Sequence, residues 1–182
     1  MPNGWAWYRL RDLFNVCSGK RVLQSEWKTA GIPFYRAREI AKLANTGYVD
    51  NDLFISQEHY DALKQTYGVP KVGDLMVTGV GTIGKVFIVN EIDCFYYKDA
   101  SVLCFENCYH AIEPQFAKHM IDSSLLQKQI HGKTHGNTVD TITITIANNY
   151  LCVLPPLSEQ KRIVNKINDL FEKIDRMEQS LK

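Results

Sequence analysis

The chain has 182 residues, 45% of them hydrophobic, with 21 Lys and Arg against 20 Asp and Glu. That composition can fill a packed core, which excludes a disordered chain, and the formal charge of +1 excludes a globally basic nucleic-acid binder. No apolar run approaches membrane-spanning length and the start, MPNGWAWYRLRDLF, lacks the parts of a signal peptide, so the expectation is a cytoplasmic protein with no membrane contact.

In chain order, RLRDLFNVCSG (9–19) reads as a short helix or turn ending at Gly19. IPFYRAREI (32–40) begins extended, because Pro33 biases Ile32 toward the β region. Ser56 is placed to cap a helix over SQEHYDALKQTYG, with Tyr60, Leu63 and Tyr67 on one face and Gly68 as its stop. A β-rich block follows, made of LMVTGV (75–80), KVFIVN (85–90), CFYY (94–97) and ASVLCFE (100–106). Pro114 opens a helix through PQFAKHMIDSSLLQKQI. HGKTHGNT (131–138) is a polar loop, the alternation in TITITI (141–146) predicts a half-buried strand, and LCVL (151–154) predicts another.

Composition changes at Pro155-Pro156. Beyond it, Ile163, Ile167, Leu170, Ile174, Met177 and Leu181 follow in steps of 4, 3, 4, 3 and 4, the rhythm of a coiled-coil seam. Val164 and Phe171 widen the stripe, and Ser158 is placed to cap the helix start. Such a helix either folds back on its own globule or pairs with another helix, and the strict rhythm favours pairing. The expected class is α+β: a β-rich domain with short helices over 1–156, then one long helix over 157–182 forming an antiparallel coiled coil.

GVGTIGKV (79–86) nearly fits two phosphate-binding patterns. A P-loop requires a helix after the glycines and a hydroxyl after the lysine, but Val86 follows Lys85 and VFIV is strand chemistry. The segment is therefore expected to be a turn between strands, its glycines supplying backbone freedom. The five cysteines are scattered through apolar segments, and Cys104, Cys108, His110 and His119 lack paired zinc-knuckle spacing, so no metal site is expected. There is no nucleophile elbow or H-E-x-x-H, and nothing in the chain argues for catalysis.

Two clusters could touch DNA. The window between Asp122 and Asp140 has no acidic residue and holds Gln127, Lys128, Gln129, His131, Lys133, Thr134, His135, Asn137 and Thr138. Lys attracts phosphate, while Gln and Asn can pair with adenine edges. Arg36, Arg38 and Lys42 form a second basic cluster next to Phe34 and Tyr35, and Arg is the commonest reader of guanine. Thr82 and Lys85, near the glycine turn, complete the candidate contacts. Each cluster read alone is also what a solvated polar surface looks like.

The run LPPLSEQKRIVNKI (154–167), following a domain of this size and preceding a heptad helix, resembles the boundary of a target recognition domain in type I restriction–modification specificity subunits. Trp5 to Leu13 (W-x-x-x-x-L-x-D-L), IPFYRAREI (32–40) and KVGDLMVTGVGTIGKV (71–86) are similar to other parts of such a domain. The resemblance implies a non-catalytic subunit that reads double-stranded DNA with two recognition domains held apart by two long helices. It also implies docking of methyltransferase subunits that use S-adenosylmethionine, and recruitment of restriction subunits that use ATP and Mg, with no cofactor on this chain. The domain-plus-helix unit occurs once here rather than twice, which fits a half-subunit or a fragment; a half-subunit could pair its helix with a second copy and read an inverted, bipartite site. A free-standing dimeric DNA-binding regulator is the alternative, with a nucleotide-binding enzyme behind it.

Overall fold

Leu75, Met76 and Val77 are consecutive and all buried, because the strand they form has apolar neighbours on both faces. The computed structural model describes residues 2–91, 93–132 and 141–180. In chain order its elements are β1 (Ala6–Arg9), β2 (Asn15–Ser18), β3 (Ile32–Tyr35), α1 (Ala37–Thr46), β4 (Phe54–Ile55), α2 (Gln57–Tyr67), β5 (Leu75–Thr78), β6 (Val86–Ile88), β7 (Tyr96–Tyr97), β8 (Val102–Glu106), α3 (Pro114–Asp122), α4 (Ser124–His131), α5 (Ile144–Asn148), β9 (Leu151–Leu154) and α6 (Leu157–Ser180). A 3-10 turn spans Leu10–Asp12.

The central sheet has the order β2-β8-β5-β6 and is antiparallel throughout. Leu75, Val77, Val86, Leu103 and Phe105 point into the larger core, which also takes Phe116, Ile121, Leu126 and Ile130 from α3 and α4. Met76, Phe87, Val102 and Cys104 point to the other face and pack with Ile40 of α1 and Phe95. A second sheet, β4-β3-β7, carries Phe34, Ile55 and Tyr96 against Tyr60 and Leu63 of α2. Each such fully buried large side chain contributes roughly 2 kcal/mol of apolar transfer. Strand β1 pairs with β9, so the first residues of the domain are tied to those just before α6.

Buried polar groups mark the places where segments are clasped. Asp74 accepts hydrogen bonds from the Lys71 and Asn107 amides at 2.7 and 2.9 Å. Burial pushes its carboxyl above the usual range in spite of those bonds. Gln160 is fully buried: its side-chain oxygen accepts from the Glu113 amide at 2.8 Å, and its nitrogen donates to the Pro155 and Ala111 carbonyls at 2.9 and 3.3 Å. The Gln of the L-P-P-L-S-E-Q run is thus the clasp between α6 and the loop before α3.

Several elements differ from the sequence expectation. TITITI is not a strand: Ile142 is buried, Thr143 is extended and caps α5 by accepting from the Ile146 amide at 3.3 Å, and Ala147 is the residue that α5 buries. The period-2 alternation arises from a cap threonine beside a one-turn helix. The segment 9–19 holds only the 3-10 turn and then becomes β2. The helix expected from Pro114 onward breaks at Ser123, whose hydroxyl donates to the Met120 carbonyl and accepts from the Leu126 amide. IPFY is extended as expected, but helix α1 follows it. Helix α6 begins at Leu157, so Ser158 lies inside its first turn rather than before it. No helix among the described residues is long and apolar enough to cross a membrane.

Candidate nucleic-acid interface

The glycine segment is a hairpin turn, as its strand chemistry predicts. Thr78 holds it closed: its hydroxyl donates to the Thr82 carbonyl at 2.5 Å and accepts from the Lys85 amide at 2.9 Å. The Thr78 amide donates to the Lys85 carbonyl, and the Gly84 amide to the Thr78 carbonyl. Gly81 and Gly84 adopt φ of +71° and +75°, a region that costs an L-residue roughly 1 kcal/mol or more. Strand β6 follows the turn where a phosphate cradle would need a helix N-terminus. Thr82 is exposed at the tip and Lys85 is half-buried where β6 begins.

Lys133, Thr134, His135, Asn137 and Thr138 lie outside the described residues. The ends of the chain that flank them do not. Ile130, near the end of α4, packs so close to Gly84 that an added Cβ would meet it at 3.4 Å. Where the chain resumes, the Ile142 amide donates to the Gly79 carbonyl at 2.9 Å. Both described flanks, at Ile130 and Ile142, therefore abut the turn that carries Thr82 and Lys85.

Two glutamines of that window have structural duties. The Gln127 side chain donates to the Ile121 carbonyl at 2.9 Å. The Gln129 amide accepts from the Leu151 N–H at 2.8 Å and donates to the Leu151 carbonyl at 2.9 Å, pairing with the edge of β9 as a neighbouring strand would.

Arg36 and Arg38 form an acid-paired cluster at the start of α1. Arg36 donates to both Glu39 oxygens at 3.0 Å and to Asp52 at 2.9 Å. Arg38 donates to Glu39 at 2.6 Å and to Asp52 at 3.2 and 3.3 Å. Burial of Glu39 opposes its charge, but the hydrogen bonds from Arg36 and Arg38 outweigh that and hold the carboxyl below its usual range. With two carboxylates facing two guanidiniums, the cluster offers DNA little net positive charge, although Arg38 is exposed.

Helix α6 has two unlike halves. Its first turns are docked: Val164 is buried in the larger core, Ile163 packs on that core, and Ile167 is half-buried. Beyond them Leu170, Phe171, Ile174 and Met177 are 48%, 59%, 49% and 66% exposed and lie along one side of the helix. Leu181 lies outside the described residues. Sequence reading found this stripe but not Gln160. The available signal was a polar residue three and four positions before Ile163 and Val164, on the same helical face.

The chain is similar to known proteins in sequence and in fold. The family model for the type I restriction modification DNA specificity domain matches residues 2–182. A protein described as a type I restriction enzyme specificity subunit from Haemophilus influenzae is 30% identical over 164 residues, which is 90% of this chain and 39% of that protein. The EcoAI specificity subunit of Escherichia coli is 24% identical over 188 residues, covering 100% of this chain and 31% of that one. In structure, the HsdS subunit from Thermoanaerobacter tengcongensis superposes with a TM-score of 0.72 at 17% identity, across 99% of this chain and 40% of that one. The S subunit of a type I system from M. genitalium superposes with a TM-score of 0.60 at 15% identity, across 98% and 42%. The chain spans about two-fifths or less of the length of each of these relatives. With a family match along almost its whole length, the chain belongs to the type I restriction modification DNA specificity domain family.

Proposed function

We propose that this chain is a non-catalytic specificity module of a type I restriction–modification system, working in the cytoplasm. It reads one half of a bipartite site in double-stranded DNA and docks methyltransferase subunits; restriction subunits join through the complex. The chain itself binds no cofactor, and S-adenosylmethionine, ATP and Mg belong to the partner subunits. The observation that carries this reading is the family match over residues 2–182. The leading DNA contacts are Thr82 and Lys85 on the β5–β6 turn and, on residue chemistry, Lys133, Thr134, His135 and Asn137. Arg36 and Arg38 rank below these because Glu39 and Asp52 already engage them.

The distal stripe of α6 supports pairing with a second copy. Four large apolar side chains along one side of a projecting helix are poorly served by water, and the 4-3 rhythm suits a helix of the same kind. An antiparallel pair would place two domains at opposite ends of a rod, related by a two-fold axis, and so select an inverted site.

The test is co-expression with a methyltransferase subunit of a type I system from the same genome, followed by mapping of methylated DNA. Co-purification and methylation at a two-part motif are expected. Tight DNA binding by the chain with no methyltransferase retained would favour the free-standing regulator instead. Thermal stabilisation by ATP alone would revive the nucleotide-enzyme reading.

A further inference from the structure

Cys17 on β2 and Cys104 on β8 stand directly opposite each other in the antiparallel register. Opposed Cα atoms in such a ladder lie about 4.5–5.5 Å apart, inside the range a disulfide can bridge. Opposed residues also project to the same face of the sheet, so the two sulfurs share one environment. Both residues line a cavity of about 450 Å³ whose rim includes the exposed Lys20 and Tyr67. Cys17 Sγ lies 3.9 Å from Tyr97 Oη, and Cys104 Sγ lies 4.0 Å from Asp74 Oδ2. Cys17 is half-buried toward the cavity, whereas Cys104 is buried behind it.

We propose that Cys17 and Cys104 form a peroxide-sensitive dithiol, in which a hydroperoxide entering the cavity oxidises Cys17 and Cys104 resolves the product to a disulfide across β2 and β8. In the first step the Cys17 thiolate attacks one peroxide oxygen; the O–O bond breaks, an S–O bond forms, and the hydroxide released is protonated to water. In the second, the Cys104 sulfur attacks Cys17 Sγ; the S–O bond breaks, the S–S bond forms, and the departing hydroxide leaves as water with the Cys104 proton. Two thiols lose two electrons and one hydrogen peroxide becomes two waters.

The division of labour follows from the surroundings. Hydrogen bonding from Cys104 favours the Cys17 thiolate and lowers its pKa, outweighing burial and the nearby Glu106 carboxylate. That same hydrogen bond, together with burial, pushes the Cys104 thiol up, so it waits as the resolving partner. Cβ atoms of opposed residues start about 4.5–5.5 Å apart and must draw in to about 3.8 Å, so the bridge is strained and readily reduced. Cys94 and Cys108 are exposed, and Cys152 is buried on β9.

The experiment treats the folded full-length chain with hydrogen peroxide, then unfolds it in alkylating agent and maps cysteines by peptide mass spectrometry. Expected are a linked Cys17–Cys104 peptide, loss of alkylation at both positions together, and recovery of both on adding dithiothreitol. In a Cys17→Ser variant, Cys104 should stay fully alkylatable after peroxide. Oxidation of Cys17 to higher acids while Cys104 remains alkylatable would overturn the proposal, as would linkage of either residue to Cys94 or Cys108.

Discussion

Single polar side chains decide how the segments of this chain meet. Gln160 joins three backbone groups from two stretches: the Glu113 amide and Ala111 carbonyl of the loop before α3, and the Pro155 carbonyl before α6. Truncating it leaves the buried Pro155 carbonyl without its partner and the part-buried Glu113 amide and Ala111 carbonyl without theirs, at a cost of about 2 kcal/mol. Gln160→Ala should therefore lower the thermal midpoint strongly, and Gln160→Met, which keeps the volume, should recover little of it. A midpoint for the Met variant equal to wild type would show that Gln160 only fills space. Glu39 makes a different prediction because its effect depends on pH. Its folded pKa is depressed, so the stability it gives is complete above its ordinary value of 4.5 and is lost as pH falls through the lower folded value. Glu39→Gln should be less stable than wild type by about 2 kcal/mol at neutral pH, with the difference shrinking in acid. Circular dichroism melts across that range read this directly, and a gap that stays constant into strong acid would contradict it.

At the scale of elements, the proximal and distal halves of α6 carry opposite expectations. Leu170 and Ile174 touch little of their own globule, so Leu170→Glu with Ile174→Glu should leave the melting temperature nearly unchanged while abolishing self-association or partner docking. Sedimentation showing an unaltered assembly state would argue that the stripe has no partner. The helix was legible from sequence because its apolar positions repeat over many turns, and β9 was legible as LCVL to the residue. The glycine turn was legible because VFIV cannot open a phosphate-binding helix. Shorter elements were less so. In TITITI a capping threonine imitates strand alternation, and in 114–130 an apolar stripe runs straight through Ser123, whose own hydroxyl breaks the helix. Strand β1 holds Trp7 and Tyr8 largely exposed and is specified by its pairing with β9, about 145 residues away, which no local pattern records. The candidate interface was readable only as residue chemistry. Nothing local showed that Gln129 would pair with β9, or that Arg36 and Arg38 would meet Asp52, because both contacts cross between elements.

For the whole molecule, the proposed reading makes α6 a ruler and the globule a reader, and the two roles can be tested apart. The reader is tested by charge. Lys133→Ala should weaken binding to all DNA sequences alike and reduce the slope of log affinity against log salt by about 0.9. An unchanged slope would remove that loop from the phosphate contacts. The ruler is tested by length. Deleting residues 168–174 removes one heptad, so Ile163, Ile167, Met177 and Leu181 still follow in steps of 4, 3 and 4. The docked residues Gln160, Ile163 and Val164 are untouched, so the globule should fold as before. Each helix becomes about 10.5 Å shorter, and in an antiparallel pair the two domains approach by the same amount. At 3.4 Å per base pair, the gap in the methylated motif should shrink by about three base pairs, while the two half-site sequences stay the same. Were the shortened chain to methylate the original motif with its original gap, the spacing would have to be set by something other than α6.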